Sequence, residues 1–209
     1  MGRHRNERGA SLVEFALLLP VLVLILFGII DFGSLYNNYQ AVRQGARDGM
    51  RQAIVADPSS GASCTTQGGN VPTSPISNPA HDWICYTKNR VGLGDTNTRV
   101  RLLWKAACPT WTAAAPICAG QSTASAAFSA GQPLMVCVQY KASSLSGVLA
   151  PFINGKVLNT QAETIIEQDN FDLNPPTFPA PSGSPLVFDV HEDSINNAGW
   201  PATCDPTKL

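Results

Sequence analysis

The feature that most constrains this chain is an apolar stretch near its start, Arg8 to Ile30, with the sequence RGASLVEFALLLPVLVLILFGII. Phe15 to Ile30 contain no charged residue, and counting back to Ala10 gives 21 residues interrupted only by Glu14. At about 1.5 Å per helical residue, this length crosses a hydrocarbon core of about 30 Å. The sequence therefore predicts one membrane-spanning helix close to the N-terminus.

Charged residues ahead of this stretch predict its orientation. Residues 1–9 contain three arginines and a single glutamate, and short flanks rich in Arg and Lys remain on the cytoplasmic side of a membrane. We therefore expect a cytoplasmic leader at residues 1–9, too short and polar to fold, and an outer portion after about Asp31. A cleaved secretory signal is the alternative, but its apolar run normally has only about 7 to 15 residues and ends at a small-x-small site, which this sequence lacks.

Glu14 is an unusual residue for such a segment. A carboxylate within a membrane helix costs a few kcal/mol unless it is paired or lies at the interface. One interpretation places Glu14 among the cytoplasmic headgroups. The other depends on its spacing: Gly9 is followed by four residues, then by Glu14 and Phe15, directly before the apolar run. This arrangement resembles the processing site of type IV pilin-like proteins, specifically the TadE-like minor pilins or pseudopilins of the tight-adherence (Flp) pilus.

The resemblance implies specific roles and partners. A membrane-embedded prepilin peptidase would cut between Gly9 and Ala10, so that Ala10 becomes the new N-terminus and Glu14 its fifth residue. In a filament, the Glu14 carboxylate would neutralise the α-amino group of a neighbouring subunit. The implied partners are the lipid bilayer, the peptidase, other pilins or pseudopilins and the pilus assembly machinery, with no cofactor, metal, nucleic acid or small-molecule substrate.

The helix is predicted to continue beyond the membrane, from Ser11 to Val55, with Pro20 as a site of bending or of local adjustment. Its outer half has apolar or small residues at steps of three and four, which predicts an amphipathic helix. This face would pack either on the chain's own outer domain or on helices of neighbouring subunits, and both uses are compatible. The predicted packing residues are Phe32, Leu35, Tyr39, Val42, Ala46, Gly49 and Ala53.

All six cysteines follow the predicted membrane helix. An even number of cysteines in an oxidising compartment predicts disulfides, although six cysteines allow 15 connectivities. None of the clustered spacings typical of zinc ligands is present. The disulfide candidates are Cys64, Cys85, Cys108, Cys118, Cys137 and Cys204.

Several outer segments alternate apolar and polar residues, the pattern of a strand with one buried face. The clearest is Pro133–Ala142, and we expect it to pair antiparallel with Lys156–Gln168. The order PLMVCVQY, VLAPF and KVLNTQAETIIEQ also resembles the end of TadE-like proteins. The other expected elements are a short helix at 81–91, a strand at Arg99–Ala106 with Val100, Leu102 and Trp104 on one face, and a strand at Leu186–Val190.

These observations predict an α+β protein, with a long N-terminal transmembrane helix followed by a small, disulfide-bonded extracytoplasmic domain built on an antiparallel sheet. The expected divisions are a leader at 1–9, a membrane and amphipathic helix at 10–55, an outer domain at 56–168 and a proline-rich tail at 169–209. We expect Asp31 to be solvated at the outer membrane boundary.

Catalytic and nucleic-acid-binding roles have little support in the sequence. The outer histidines, His81 and His191, are expected in solvated loops, and no hydrolase, zinc-protease or phosphate-loop motif is present. The formal net charge is −1, and no basic patch favours nucleic acid. The predicted function is that of a non-enzymatic pilin-like subunit, single-pass in the cytoplasmic membrane. The alternative is an uncleaved, membrane-anchored binding or structural protein of the cell envelope.

Overall fold

The computed structural model describes residues 7–55, 63–69, 71, 79–105, 131–167, 187–195, 199–205 and 208–209. The chain divides into two compact units. The first contains the chain up to Asn38 together with Ala142–Lys156, and the second contains Tyr39–Lys141 and Val157–Leu209. The long N-terminal helix contributes residues to both units.

Helix α1 is a single helix of 49 residues, Glu7–Val55, and it includes Pro20. The predicted continuous helix is therefore confirmed, and it is described as far as Val55. Its start differs from the prediction, because the helix begins at Glu7, within the expected leader, rather than at Ser11.

A four-stranded antiparallel sheet forms the centre of the second unit. Strands β1 (Thr98–Lys105), β2 (Pro133–Lys141), β3 (Val157–Ile165) and β4 (Val187–His191) are arranged in the order β3-β2-β1-β4. Every neighbouring pair is antiparallel. The expected pairing of the clearest strand with the one after it, β2 with β3, is confirmed, as is the strand in the tail, which pairs with β1.

Both faces of strand β2 are buried, and on β1 the burial extends to Leu103 on the second face. Strand β2 is buried at every position from Leu134 to Tyr140, and Leu103 on β1 is as buried as its neighbours Leu102 and Trp104. The prediction of one buried face for β1 is therefore incomplete. The second face is covered by the C-terminal tail, since Leu103 clusters with Met135, Cys137, Cys204, Trp200 and Leu209.

Helix α2 (Pro79–Val91) confirms the expected short helix and packs on α1 inside the second unit. A Cβ atom added to Gly49 would lie 2.9 Å from Cγ2 of Thr87, and one added to Gly45 would lie 2.9 Å from the backbone nitrogen of Val91. The indole Nε1 of the buried Trp83 donates a 2.8 Å hydrogen bond to the carbonyl oxygen of Gly49. The two glycines therefore allow close approach of the chain's own second helix.

Two disulfides join the described cysteines. Cys64 pairs with Cys85 on α2, and Cys137 on β2 pairs with Cys204 in the tail. The predicted disulfide bonding is confirmed for these four residues. The other two candidates, Cys108 and Cys118, lie outside the described residues.

Candidate functional site

The first candidate surface is the apolar part of α1, which we call the apolar segment, residues 11–30. It is almost entirely exposed, with 69% of Leu12, 72% of Leu17 and 69% of Ile29 accessible. By length and composition, α1 is the one described helix able to cross a membrane. Contiguous apolar surface of this extent is unstable in water, so lipid or another apolar partner must cover it.

Glu14 lies on the apolar segment and is exposed, between the exposed side chains of Val13 and Phe15. Among the residues that the structure describes, none forms an ion pair or hydrogen bond with its carboxylate. Gly9 and Ala10 lie in the same helix, ahead of this position. The roles assigned to these three residues remain predictions.

The predicted packing residues fall into two groups. Phe32 is 63% exposed and Tyr39 is 38% exposed, and Leu35 is partly exposed. From Val42 onwards the same face is covered within the chain's own second unit. The covered positions are Val42, Ala46, Gly49 and Ala53.

Asp31, directly after the apolar segment, forms the second candidate feature. The sequence predicted a solvated carboxylate, but Asp31 is only 2% exposed. Its Oδ1 accepts hydrogen bonds from the backbone nitrogens of Leu145 and Ser146 at 2.9 and 2.8 Å. Its Oδ2 accepts from the hydroxyls of Ser144 and Ser146 at 2.8 and 2.7 Å. The prediction was wrong because distant residues replace the water that would otherwise solvate the carboxylate.

The partner of Asp31 is a compact segment, Ala142–Lys156, which we call the serine loop. It contains a short helix, α3 (Ala150–Ile153), and its ends meet through a 2.8 Å hydrogen bond from the backbone nitrogen of Ala142 to the carbonyl oxygen of Lys156. The sequence indicated only a connection between two strands here. The sequence shows three closely spaced serines in the loop and an acidic residue at the end of the apolar run. These residue types are suited to such a contact, but sequence periodicity does not predict contacts between residues so far apart in the chain.

The histidines are placed differently from the prediction. His81 is buried in α2, with its Nδ1 atom 3.7 Å from Oδ1 of Asp82, and His191 lies on β4, with Nδ1 3.2 Å from Oδ2 of Asp189. The expectation of solvated loops is therefore wrong, because both residues belong to regular elements. No cluster of three or more His, Cys, Asp or Glu suited to a metal occurs among the described residues.

A buried ion pair stabilises the second unit. Nζ of Lys88 lies 2.7 Å from Oε1 of Glu192, and neither side chain is exposed. Glu192 also accepts hydrogen bonds from the backbone nitrogens of Gln67 and Val100. Burial lowers the pKa of Lys88 and raises the pKa of Glu192, since burial disfavours each charged form, while the charge of each partner opposes the shift. These groups connect α2, β1 and the residues after β4, which indicates a structural role.

Comparison with known protein families and proteins identifies only the N-terminal region. No curated protein and no solved structure matches the chain. The family of TadE-like proteins matches residues 9–51, which include the Gly9–Ala10 bond, Glu14, the apolar segment and Asp31. Over residues 9–51, therefore, this chain is similar to TadE-like proteins, which confirms for this stretch the resemblance inferred from its sequence.

Proposed function

We propose that this protein is a non-enzymatic, pilin-like subunit that takes part in tight-adherence (Flp) pilus biogenesis, is processed after Gly9 and assembles through α1. The observation that carries the proposal is the division of one continuous helix: the apolar segment of α1 is exposed, whereas one face of its last part is buried within the second unit. The TadE-like match over residues 9–51 supports the association with this pilus system.

The exposed apolar segment has two successive environments in this proposal. Before assembly it lies in the cytoplasmic membrane as a single span, with the N-terminus in the cytoplasm and the second unit outside. Prepilin peptidase then removes the basic leader, which contains three arginines that anchor the chain to the cytoplasmic surface. Helices of other pilins or pseudopilins afterwards replace the lipid around this segment.

Glu14 favours one packing of the helices when the apolar segment moves from lipid into the filament. Its carboxylate has no described partner within the chain and lies among exposed apolar side chains. Removal of such a charge from water is costly unless an opposite charge compensates. The α-amino group of Ala10 in a neighbouring processed subunit supplies that charge, so correctly packed helices are favoured over other arrangements.

The two groups of predicted packing residues on α1 make different contacts. Val42, Ala46 and Ala53 are at most 1% exposed and already pack within the chain. Phe32, Leu35 and Tyr39 retain accessible surface for neighbouring helices. Contacts between subunits are therefore concentrated on the part of α1 that precedes Val42.

The assembly role is tested with variants of Glu14 in the native cell. We expect Glu14→Gln to remain in the membrane fraction but to be lost from the sheared surface fraction, because it keeps the size of the side chain and removes its charge. Glu14→Asp should retain part of the assembly. Glu167→Gln is the matched control, since it removes an exposed carboxylate from the second unit.

Equal recovery of Glu14→Gln and Glu167→Gln in the sheared fraction would contradict the role of Glu14 in assembly. Absence of the unchanged protein from that fraction, together with an intact leader, would support the alternative of an uncleaved envelope protein. Both fractions are quantified by immunoblot against the second unit.

A further inference from the structure

We propose that the serine loop is a second membrane contact, which lies in the headgroup region of the outer leaflet beside the end of the membrane-spanning helix. This inference depends on the proposed membrane anchor, and it adds a lipid-binding surface contributed by residues more than a hundred positions further along the chain. The partner to which it commits is the lipid bilayer.

The position of the loop is determined by Asp31. This residue directly follows Ile29 and Ile30, which end the apolar segment and are 69% and 41% exposed. Four hydrogen bonds from Ser144, Leu145 and Ser146 connect the loop to the Asp31 carboxylate. Because one helical turn is about 5.4 Å, the loop is attached within a single turn of the last membrane residues. A helix that spans the bilayer therefore brings the loop to the membrane surface.

The chemistry of the loop fits that location. Ala142 to Gly155 contain no charged residue, and lysines flank them in the sequence at positions 141 and 156. Three of its large apolar side chains are exposed: Leu145 to 72%, Phe152 to 74% and Val148 to 43%. Apolar and aromatic groups beside cationic residues favour the interface, where apolar parts reach the acyl chains and lysines approach lipid phosphates.

The loop is also preorganised to present these side chains. Its ends are closed by the hydrogen bond between Ala142 and Lys156 and by a 3.1 Å bond from the backbone nitrogen of Gly155 to the carbonyl oxygen of Ala142. Ile153 is buried, whereas its neighbour Phe152 is exposed. The loop is thus folded while its apolar side chains are exposed, so its insertion into lipid costs little additional conformational entropy of the loop.

Such a contact sets the depth of the anchor. The loop covers Asp31, and movement of the helix toward the cytoplasm would draw the loop and its polar backbone into the hydrocarbon, where unsatisfied polar groups are costly. Movement outward would expose Leu145 and Phe152 to water. Both displacements are unfavourable, so the loop keeps Asp31 at the membrane boundary.

The proposal is tested by site-specific photocrosslinking of the full chain in vesicles of phosphatidylcholine and phosphatidylglycerol. Benzoylphenylalanine replaces one residue at a time: Leu145, Phe152, Leu22 in the apolar segment, or Ile165 at the end of β3. Ile165 is the matched control, because it is a large apolar residue that is 60% exposed in the second unit. Adducts are identified by mass spectrometry of the intact chain and its peptides.

We expect lipid adducts when the crosslinker replaces Leu22, Leu145 or Phe152, and no lipid adducts when it replaces Ile165. Lipid adducts at Leu22 together with their absence at both loop positions would overturn the loop contact and leave the membrane anchor standing. Absence of lipid adducts at Leu22 would instead contradict the anchor itself. Adducts from the loop to a second copy of the chain, without lipid adducts, would also overturn the proposal, because the occupant would then be protein.

Discussion

Asp31 accepts two hydrogen bonds from a single residue, Ser146, whose backbone nitrogen and hydroxyl lie 2.8 and 2.7 Å from the carboxylate oxygens. These residues are 115 positions apart in the chain. The contact therefore connects the loop that follows β2 to helix α1, although β1 and β2 lie between them in the chain.

Replacement of Asp31 should loosen the serine loop. In Asp31→Ala the backbone nitrogens of Leu145 and Ser146 lose their acceptor, so their amide hydrogens should exchange faster. Asp31→Asn retains one acceptor oxygen and should have a smaller effect. Hydrogen exchange measured by mass spectrometry over residues 142–156 checks this, with Asp48→Ala on the same helix as the control. Unchanged exchange in Asp31→Ala would show that other contacts keep the loop in place.

Gly49 should tolerate no larger side chain. In Gly49→Ala the added methyl group would overlap Thr87, and overpacking of this kind costs about 1 to 3 kcal/mol. Gly33→Ala is the opposite case: no heavy atom lies within 4 Å of the added Cβ, so it should be neutral or stabilising by up to about 1 kcal/mol through helix propensity. Denaturant unfolding in detergent micelles, followed by tryptophan fluorescence, measures both. Equal free energies of unfolding would contradict the close packing of α2 on α1.

Much of the architecture follows from the sequence because local patterns determine it. The uncharged run and the three-and-four spacing of apolar residues specify α1, and the alternation in PLMVCVQY specifies β2. Contacts between distant segments have no such pattern. Residues of a proline-rich tail cover Leu103, and two serines and a leucine of a loop donate hydrogen bonds to Asp31. The packing face illustrates both cases: its periodicity is local, but only tertiary contacts decide that Val42 is buried and Phe32 is not.

Loss of the cation next to Glu192 should be strongly destabilising. In Lys88→Met the carboxylate remains buried without a charged partner, and removal of one member of such a pair costs about 3 to 5 kcal/mol. Glu192→Gln in the same chain should restore part of this loss. Lys156→Met, at an exposed lysine, serves as the control in the unfolding measurements.

The pH dependence of Lys88→Met follows from the direction of the Glu192 pKa. Burial raises this pKa above its usual value, and removal of the nearby ammonium raises it further. The folded state then binds the proton more readily than the unfolded state, whose pKa is about 4.3. The loss of unfolding free energy caused by Lys88→Met should therefore decrease as the pH falls through the pKa of Glu192 in the folded state. A penalty that stays constant from pH 8 to pH 4 would contradict a buried, unpaired Glu192.

The pH dependence of the stability that Asp189 contributes should be opposite to that expected for Glu192, because the pKa of Asp189 is lowered and that of Glu192 is raised. Burial acts to raise its pKa, but hydrogen bonds from His191 and Arg101, together with their charges, outweigh burial and lower the pKa below its usual value. Arg101 contacts the carboxylate through Nε and Nη2 at 3.0 and 2.7 Å. The stability is therefore present above the unfolded pKa of about 3.9 and is lost as the pH falls through the folded pKa.

Asp189→Asn removes this charge and keeps a similar shape. At pH 7 the variant should be less stable by about 1 to 3 kcal/mol, and the difference should decrease below pH 4. Free energies of unfolding of both proteins across this range give the test. A difference that is unchanged or larger in acid would contradict an ionised Asp189 bound to Arg101.

The intact mass and N-terminal sequence of the protein from its native membrane test the pilin-like function most directly. We expect a mature chain that begins at Ala10, and an unprocessed chain in the Gly9→Ala variant, because the resemblance places the scissile bond after this glycine. Gly33→Ala, with an open position on the same helix, should be processed normally. A native chain that still carries the leader up to Gly9 would contradict processing and indicate a permanently anchored envelope protein.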